Sequence, residues 1–500
     1  MRELNDYFLF LIVILFFFIA FDGIDRPLTY GHNGFATGQN MHMANNYNKV
    51  GYALLGVKWN VAWTAETGKE EYHYYTHHPI GIFLLYAPIF AIFGYEIVVG
   101  RLVQVIIALL TLVIFYYLIR ANANEHSARL ATLVLGLAPI FLFYRDMISF
   151  DFLGLPLTFL VLIFYMKWLN YKKNKYLVFT LMFAFLGTIF SDWGFYFMSI
   201  PVWLHCLIYF KGHMKKFFLV SFPAVFVSSF LLFLLHNYIL TGSVAGDDYN
   251  LTGKLFENLL FRMNLIESSK AYGITLVGLL TKLWSTSNIN LTPIVLWVSL
   301  CGILVSINKN YEKRNLKFDN LILFCFMSSL LPVFVLSNAF WIHPHIYLLA
   351  VLPFAAYLGV YFLFNINPLS KGTRNVLLSI FIVSLLLFAD DFYRNRDEQL
   401  VDPLVDFLHK NDENVIWTFP LHPQAFQVRY YLEKRKVLDL RDVASFNNTT
   451  LNEYNYVITH TDTEQNLKVF LKSKFESTTV GEFEVFHLKK VRDLSSMAIA

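Results

Sequence analysis

The sequence predicts an α-helical polytopic membrane protein that ends in a small α/β domain. Of its 500 residues 56% are hydrophobic and only 15% charged, a balance foreign to a water-soluble chain of this length. Apolar runs of bilayer-crossing length recur through residues 1–391, and from 392 to 500 the composition returns to that of an ordinary globular domain.

The apolar runs lie at roughly 7–21, 97–119, 128–145, 150–168, 176–190, 194–210, 217–240, 290–307, 320–338, 346–365 and 375–391, which predicts about eleven crossings. The first, YFLFLIVILFFFIAF, lacks the small residues of a signal-peptide cleavage site and runs directly into Asp22 and Asp25, so a retained helix is expected. Residues 22–94 form the first outer loop. Within it, 33–50 has a helical, amide-rich pattern, and EYHYYTHHPIG at 71–81 sets His73, His77 and His78 against the apolar run FLLYAPIFAIF.

Positive charge gives the sidedness. Lys and Arg gather after alternate spans, at Arg120 and Arg129, at Lys167, Lys172, Lys173 and Lys175, at Lys211, Lys215 and Lys216, at Lys309, Lys313, Arg314 and Lys317, and at Lys371 and Arg374. Those loops are expected in the cytoplasm. The intervening connections YRDMISFD, SDW, TGSVAGDDYN and NAFWIHPH hold acids and histidines and are expected outside. Counting 79–94 as a further crossing would put the lysine clusters outside. That segment, with Pro79 in its first turn and Gly94 as its stop, is therefore expected to lie in the outer interface. The same reasoning places the protein in the cytoplasmic (plasma) membrane, with its site and its C-terminal domain extracytoplasmic.

The tail alternates helix-like segments, LVDFLHK, AFQVRYYLEKR and NLKVFLKSKF, with strand-like ones, VIWTF, VLDL, YNYVITH and FEVFHLKK. This predicts a small α/β domain. There is no P-loop, no GxGxxG after a strand and no HExxH, which argues against nucleotide-driven transport and the common soluble chemistries. Cys206, Cys301 and Cys325 sit in apolar runs and read as small buried hydrophobes. The formal charge of +4 is accounted for by the cytoplasmic loops, and no nucleic-acid partner is implied.

The polar residues at outer span ends are the site candidates: Asp22, Asp25, His32, Glu66, His77, His78, Arg145, Asp151, Asp192, His343 and His345. Singly, each is explained as a solvated or headgroup-bound loop residue. Together they supply what a site needs in order to hold a lipid phosphate and deprotonate a hydroxyl. The adjacent imidazoles His77 and His78 are suited to an anion, with Arg145 and Tyr75 as further contacts to such a lipid phosphate. His343 and His345, at i and i+2, and the Asp247-Asp248 pair could touch a divalent metal, but further ligands are lacking. No metal and no cofactor is expected.

Three stretches, HNGFATGQNMHMANNYNKVGY, YYTHHPIGIFLLYAPIFAIFGYEIVVGRL and ARLATLVLGLAPIFLFYRDMISFD, resemble the first third of the GT-C membrane glycosyltransferases. The nearest in pattern is the branch of protein O-mannosyltransferases and aminoarabinose transferases. The resemblance rests on Asn46, His78-Pro79, Gly94-Tyr95-Glu96, Arg101-Leu102 and Asp151, with weaker likeness in SDWGFYF and HPHIYLLAVLPFAA. It implies transfer of a sugar from a polyprenyl-phosphate donor to a protein, lipid or glycan acceptor at the outer face, among membrane lipids. It also implies that Asp151 is the second outer acid. The acidic pair that such enzymes carry about ten residues before the Asn is replaced here by Ala36-Thr37, and Asp22, Asp25 or His32 would have to substitute. A transporter or flippase, or a non-catalytic binder of polyprenyl-linked sugars, is the alternative. The nearly charge-free mid-span segments and the lack of paired repeats weigh against transport.

Overall fold

The computed structural model describes residues 2–28, 32–50, 58–64, 69–74, 78–191, 193–212, 214–244, 255–266, 273–312, 317–365, 372, 376, 378–388, 403–411, 415–417, 437–439, 456–459, 465–480 and 483–491. They form two compact units. The first comprises residues 1–24, 54–56 and 75–396, and the second 25–53, 57–74 and 397–500. The expected first outer loop thus divides between the two.

The first unit begins with α1 (Arg2–Phe21) and resumes after the loop with α3 (Gly81–Phe93), α4 (Ile97–Asn122), α5 (Glu125–Leu137), α6 (Pro139–Tyr144), α7 (Phe150–Tyr171) and α8 (Asn174–Phe190). A 3-10 turn (Trp193–Met198) leads into α9 (Ser199–Tyr209) and α10 (Met214–Thr241). Then come α11 (Leu255–Arg262), α12 (Leu276–Asn290), α13 (Pro293–Glu312), α14 (Lys317–Val335), α15 (Ser337–Ile342), α16 (Pro344–Asn365) and α17 (Leu378–Phe388). In the second unit, α2 (His32–Val50) packs on the first strand of a hairpin, β1 (Lys58–Thr64) and β2 (Lys69–Tyr74).

Helix α4 shows why these segments fold as they do. Val105, Ala108, Leu112, Phe115 and Ile119 recur at helical spacing on a buried stripe, while Leu102, Ile106, Leu110 and Tyr117 are exposed on the opposite face. A helix apolar on both faces is matched to lipid on one side and protein on the other. The chain is an integral membrane protein. Five described helices are each long and apolar enough to cross a membrane, and a sixth if α12 and the start of α13, bent by 114°, make one span. Shorter apolar helices fall on the remaining expected runs, and the run at 128–145 is broken into α5 and α6 where Ala138 takes an extended backbone ahead of Pro139. Helix α3 has 13 residues and ends at Gly94, whose φ of 92° needs glycine. At about 20 Å it is shorter than the hydrocarbon core.

Close packing sets the helix pairs. On α13, Ser299 donates both to Val295 O within its helix and to Ala355 O of α16 at 2.7 Å, and Gly302 lies against the Leu358 carbonyl, where a methyl group would have no room. Small residues of this kind let two helix backbones approach in lipid.

The C-terminal part of the second unit has α18 (Pro403–Lys410), β3 (Val415–Trp417), β4 (Val437–Asp439), β5 (Tyr456–Thr459), α19 (Gln465–Lys474), β6 (Phe475–Val480) and β7 (Phe483–Val491). The sheet order is β4-β3-β5-β7-β6, with β3 parallel to β4 and β5 and the β7 pairings antiparallel. Val457 and Ile458 on the central β5 are both buried, as expected of a strand covered on both faces. The helix-like segment AFQVRYYLEKR lies outside the described residues. In the second unit the β1/β2 hairpin went unanticipated, as did edge strand β6, whose FESTTV is too polar to read as a strand.

Candidate active site

One end of the first unit gathers the connection between α6 and α7, the entry to α3 and the end of α8. His78 is half-buried, and its ring stacks on Phe150 at 4.9 Å with 23° between planes; Phe83 meets Phe150 edge-on at 5.3 Å. Phe150 opens α7 and Asp151 follows it, so His78 is held beside the first turn that carries Asp151. The side chain of Asp151 lies outside the described residues. Behind His78, buried Pro79 leads to Gly81, where a Cβ would come within 2.5 Å of Ile189 O; α3 thus starts flush against the end of α8. One turn into α7, Gly154 lies against the Ser191 hydroxyl, and buried Ser191 caps α8 through its N–H to Gly187 O. Asp192, next in the chain, lies outside the described residues.

Two buried guanidiniums sit at the same end. Arg145 has no exposed surface and donates from Nη2 to Asp22 O at 3.5 Å; Arg101, near the start of α4, donates from Nη1 to Ile24 O at 3.1 Å. Asp22 itself is exposed. Gly100 packs against Ile148, which ties α4 to the segment between Arg145 and Asp151. Tyr86 is buried and donates to Gln104 at 2.8 Å, bracing α3 on α4.

Next to this cluster is an open cleft of about 740 Å³ including its mouth. Its walls are Gly154, Leu155 and Thr158 of α7, Ser191 and the 3-10 turn, Cys325, Ser328, Ser329 and Pro332 of α14, and Ile346, Tyr347, Ala350 and Phe354 of α16. The lining is chiefly apolar, with Thr158, Ser191 and Ser328 as hydroxyl points. One side is closed by a cluster in which Leu279 of α12 packs with Val333, Phe340 and Tyr347. Sequence reasoning missed this cleft. Its one legible signal is the Ser328-Ser329 pair followed by Pro332 inside an apolar span.

Of the other candidates, Asp25 is exposed and, like His32 at the start of α2, belongs to the second unit; the His32 side chain is outside the described residues. Glu66, Tyr75 and His77 lie outside them altogether. His343 is half-buried at the end of α15, its N–H bonded to Ala339 O at 2.8 Å, while the His345 side chain is not described. Among the described residues no group of three His, Cys, Asp or Glu side chains converges as a metal site.

Residues 77–239 match the family model of dolichyl-phosphate-mannose-protein mannosyltransferases. The match starts at His77 and takes in His78, Arg101, Arg145, Asp151 and Asp192. ArnT from Cupriavidus metallidurans, solved with undecaprenyl phosphate bound, superposes with a TM-score of 0.54 at 13% identity, covering 95% of this chain and 97% of ArnT. The fold is that of the GT-C glycosyltransferases. A second GT-C structure, the apo oligosaccharyltransferase of Archaeoglobus fulgidus, matches with a TM-score of 0.51 at 11% identity, over 91% of this chain and 70% of its own. No curated protein sequence matches the chain. The described helices of the first unit continue to Phe388, well beyond the part that the family model covers.

Proposed function

We propose that the chain is a membrane glycosyltransferase that moves a sugar from a polyprenyl-phosphate carrier to an acceptor on the extracytoplasmic side. The observation that carries the reading is the juxtaposition of an apolar cleft with a polar helix end: Gly154 and Thr158 line the cleft, and one turn earlier α7 opens with Phe150, on which the His78 ring stacks, followed in the chain by Asp151. An isoprenoid needs the first environment, and its phosphate and sugar need the second. The mannosyltransferase family match and the undecaprenyl phosphate held by ArnT support the same donor class.

In this reaction the acceptor oxygen or nitrogen attacks the anomeric carbon, the bond from that carbon to the phosphate oxygen breaks, and polyprenyl phosphate leaves. Asp151 takes the acceptor proton, and His78, with His77, stabilises the charge that grows on the departing phosphate. Such a reaction uses no nucleotide, because the carrier already delivers an activated sugar within the membrane.

The test is purified protein in lipid nanodiscs supplied with a panel of polyprenyl-phosphate sugars and candidate acceptors, followed by release of polyprenyl phosphate. Acceptor-dependent release from one donor, lowered about 10²- to 10⁴-fold in Asp151→Asn, is expected of a base in that role. Donor binding without release in the wild-type protein would reject the reading.

A further inference from the structure

We propose that Arg101 and Arg145 are positioning residues that clamp the exit of α1 and so fix Asp22 at the same helix end as Asp151. The inference rests on the transferase reading above for its functional half, and on geometry alone for its structural half.

The two guanidiniums come from separate parts of the chain, one from the second turn of α4 and one from the end of α6. Both are buried, at 3% and 0% exposure. Both reach main-chain carbonyls within three residues of each other, Ile24 O at 3.1 Å and Asp22 O at 3.5 Å, just past the last turn of α1. A helix C-terminus ends in carbonyls that lack helical partners and carries partial negative charge, so a cation there is favoured twice, as donor and as countercharge. A buried guanidinium is nonetheless an expensive way to end a helix when glycine does so at little cost, and Gly23, at φ 68°, is already present.

What the arginines add is location. They take the carbonyls and leave the Asp22 side chain on the exposed face. Asp151 follows Arg145 by six positions, and the intervening Met147, Ile148 and Ser149 are buried, so the guanidinium that holds Asp22 is anchored to the segment that starts α7. This gives Arg145 a role through the chain in place of the direct phosphate contact expected of it. It also gives the acid missing at Ala36-Thr37 a substitute in Asp22, delivered by the helix end and not by the loop.

The experiment uses full-length protein in nanodiscs with Arg101→Gln, Arg145→Gln, Arg145→Lys, Asp22→Asn and the Arg145→Gln/Asp22→Asn double variant. Amide exchange of residues 21–25 is read alongside donor turnover. Loss of a charged hydrogen bond predicts exchange there faster on the order of ten- to a hundred-fold in either Gln variant, with the α4 core unchanged and partial recovery in Arg145→Lys. Turnover is expected to fall in Asp22→Asn and Arg145→Gln with little change in donor KM, and the double variant is expected to be no worse than Asp22→Asn alone. Unchanged exchange at 21–25 overturns the clamp whatever the activity does. Losses that multiply in the double variant, or wild-type turnover in Asp22→Asn, overturn the role of Asp22. If Arg145→Gln fails to fold, Arg101→Gln and Arg145→Lys are judged by the same criteria. A wild-type protein that turns over no donor rejects the transferase reading instead, and the clamp then stands or falls on exchange alone.

Discussion

Tyr165 of α7 and His205 of α9 meet through a 2.8 Å hydrogen bond, and the other ring nitrogen of His205 lies 2.7 Å from the Lys317 carbonyl at the start of α14. A carbonyl only accepts, so Nε2 carries the proton and donates to Lys317 O, and Nδ1 accepts from the Tyr165 hydroxyl. One neutral imidazole thus joins three helices far along α7 and α14 from their cleft-lining residues. His205→Ala strands the buried Tyr165 hydroxyl, at about 1–3 kcal/mol, and removes the bond to the Lys317 carbonyl. A clear fall in melting temperature is expected, with turnover at permissive temperature little altered; fluorescence-detected thermal unfolding in detergent checks it.

A second tie lies on the same helix. Tyr357 of α16 donates to Asp319 at 2.5 Å, and Asp319 sits in the first turn of α14, where a carboxylate also complements the helix end. Tyr357→Phe is expected to destabilise by about 1.5–3 kcal/mol, as for a hydrogen bond to a charged group. Asp319→Asn keeps the shape and loses the charge, so its melting temperature should fall less. Reversed ranks would show that the Tyr357 contact contributes little.

The stack of His78 on Phe150 separates packing from chemistry. An aromatic pair of this kind contributes about 0.5–1.5 kcal/mol beyond its buried area. His78→Phe preserves a ring against Phe150 and removes the imidazole, whereas His78→Ala removes both. Transfer should fall in both variants and melting temperature only in the second. Equal activity of His78→Phe and wild type would remove His78 from the phosphate site.

The cleft can be narrowed from one position. Gly154 has no room for a side chain against Ser191, so Gly154→Val must displace Ser191 or the wall it belongs to. Overpacking of this kind costs about 1–3 kcal/mol. Affinity for a fluorescent polyprenyl phosphate should drop more than affinity for a water-soluble phosphosugar. Titration of both ligands distinguishes an obstructed cleft from a general loss of fold.

The membrane helices were legible because lipid enforces length and apolarity on each run, as in IVVGRLVQVIIALLTLVIFYYLIRAN of α4. The sheet strands of the tail were legible where β-branched and aromatic residues cluster, in Val415–Trp417 and Tyr456–Thr459. The β1/β2 hairpin was not, because KWNVAWT and KEEYHY carry charge, and an AETG connection is a turn signal only once both strands are suspected.

The site divides in the same way. His78 and Asp151 could be picked out as polar residues at span ends, but the packing of the His78 ring on Phe150, 72 positions on in the chain, is a matter of tertiary structure. The cleft was invisible, because Gly154, Ser328 and Ser329 look like ordinary residues of apolar helices until their facing directions are known. The carbonyl partners of Arg101 and Arg145 leave no trace in side-chain identity at all.

The contact of Gly302 with the Leu358 carbonyl bears on how this chain can drift over generations. Every other amino acid brings at least a methyl group, and at that spot the obstacle is main chain, which no change of neighbouring rotamer can clear. Codon changes at 302 are therefore filtered by geometry before activity is ever consulted. In a deep mutational scan that position should read as intolerant as any residue of the reaction centre, though it does not line the cleft.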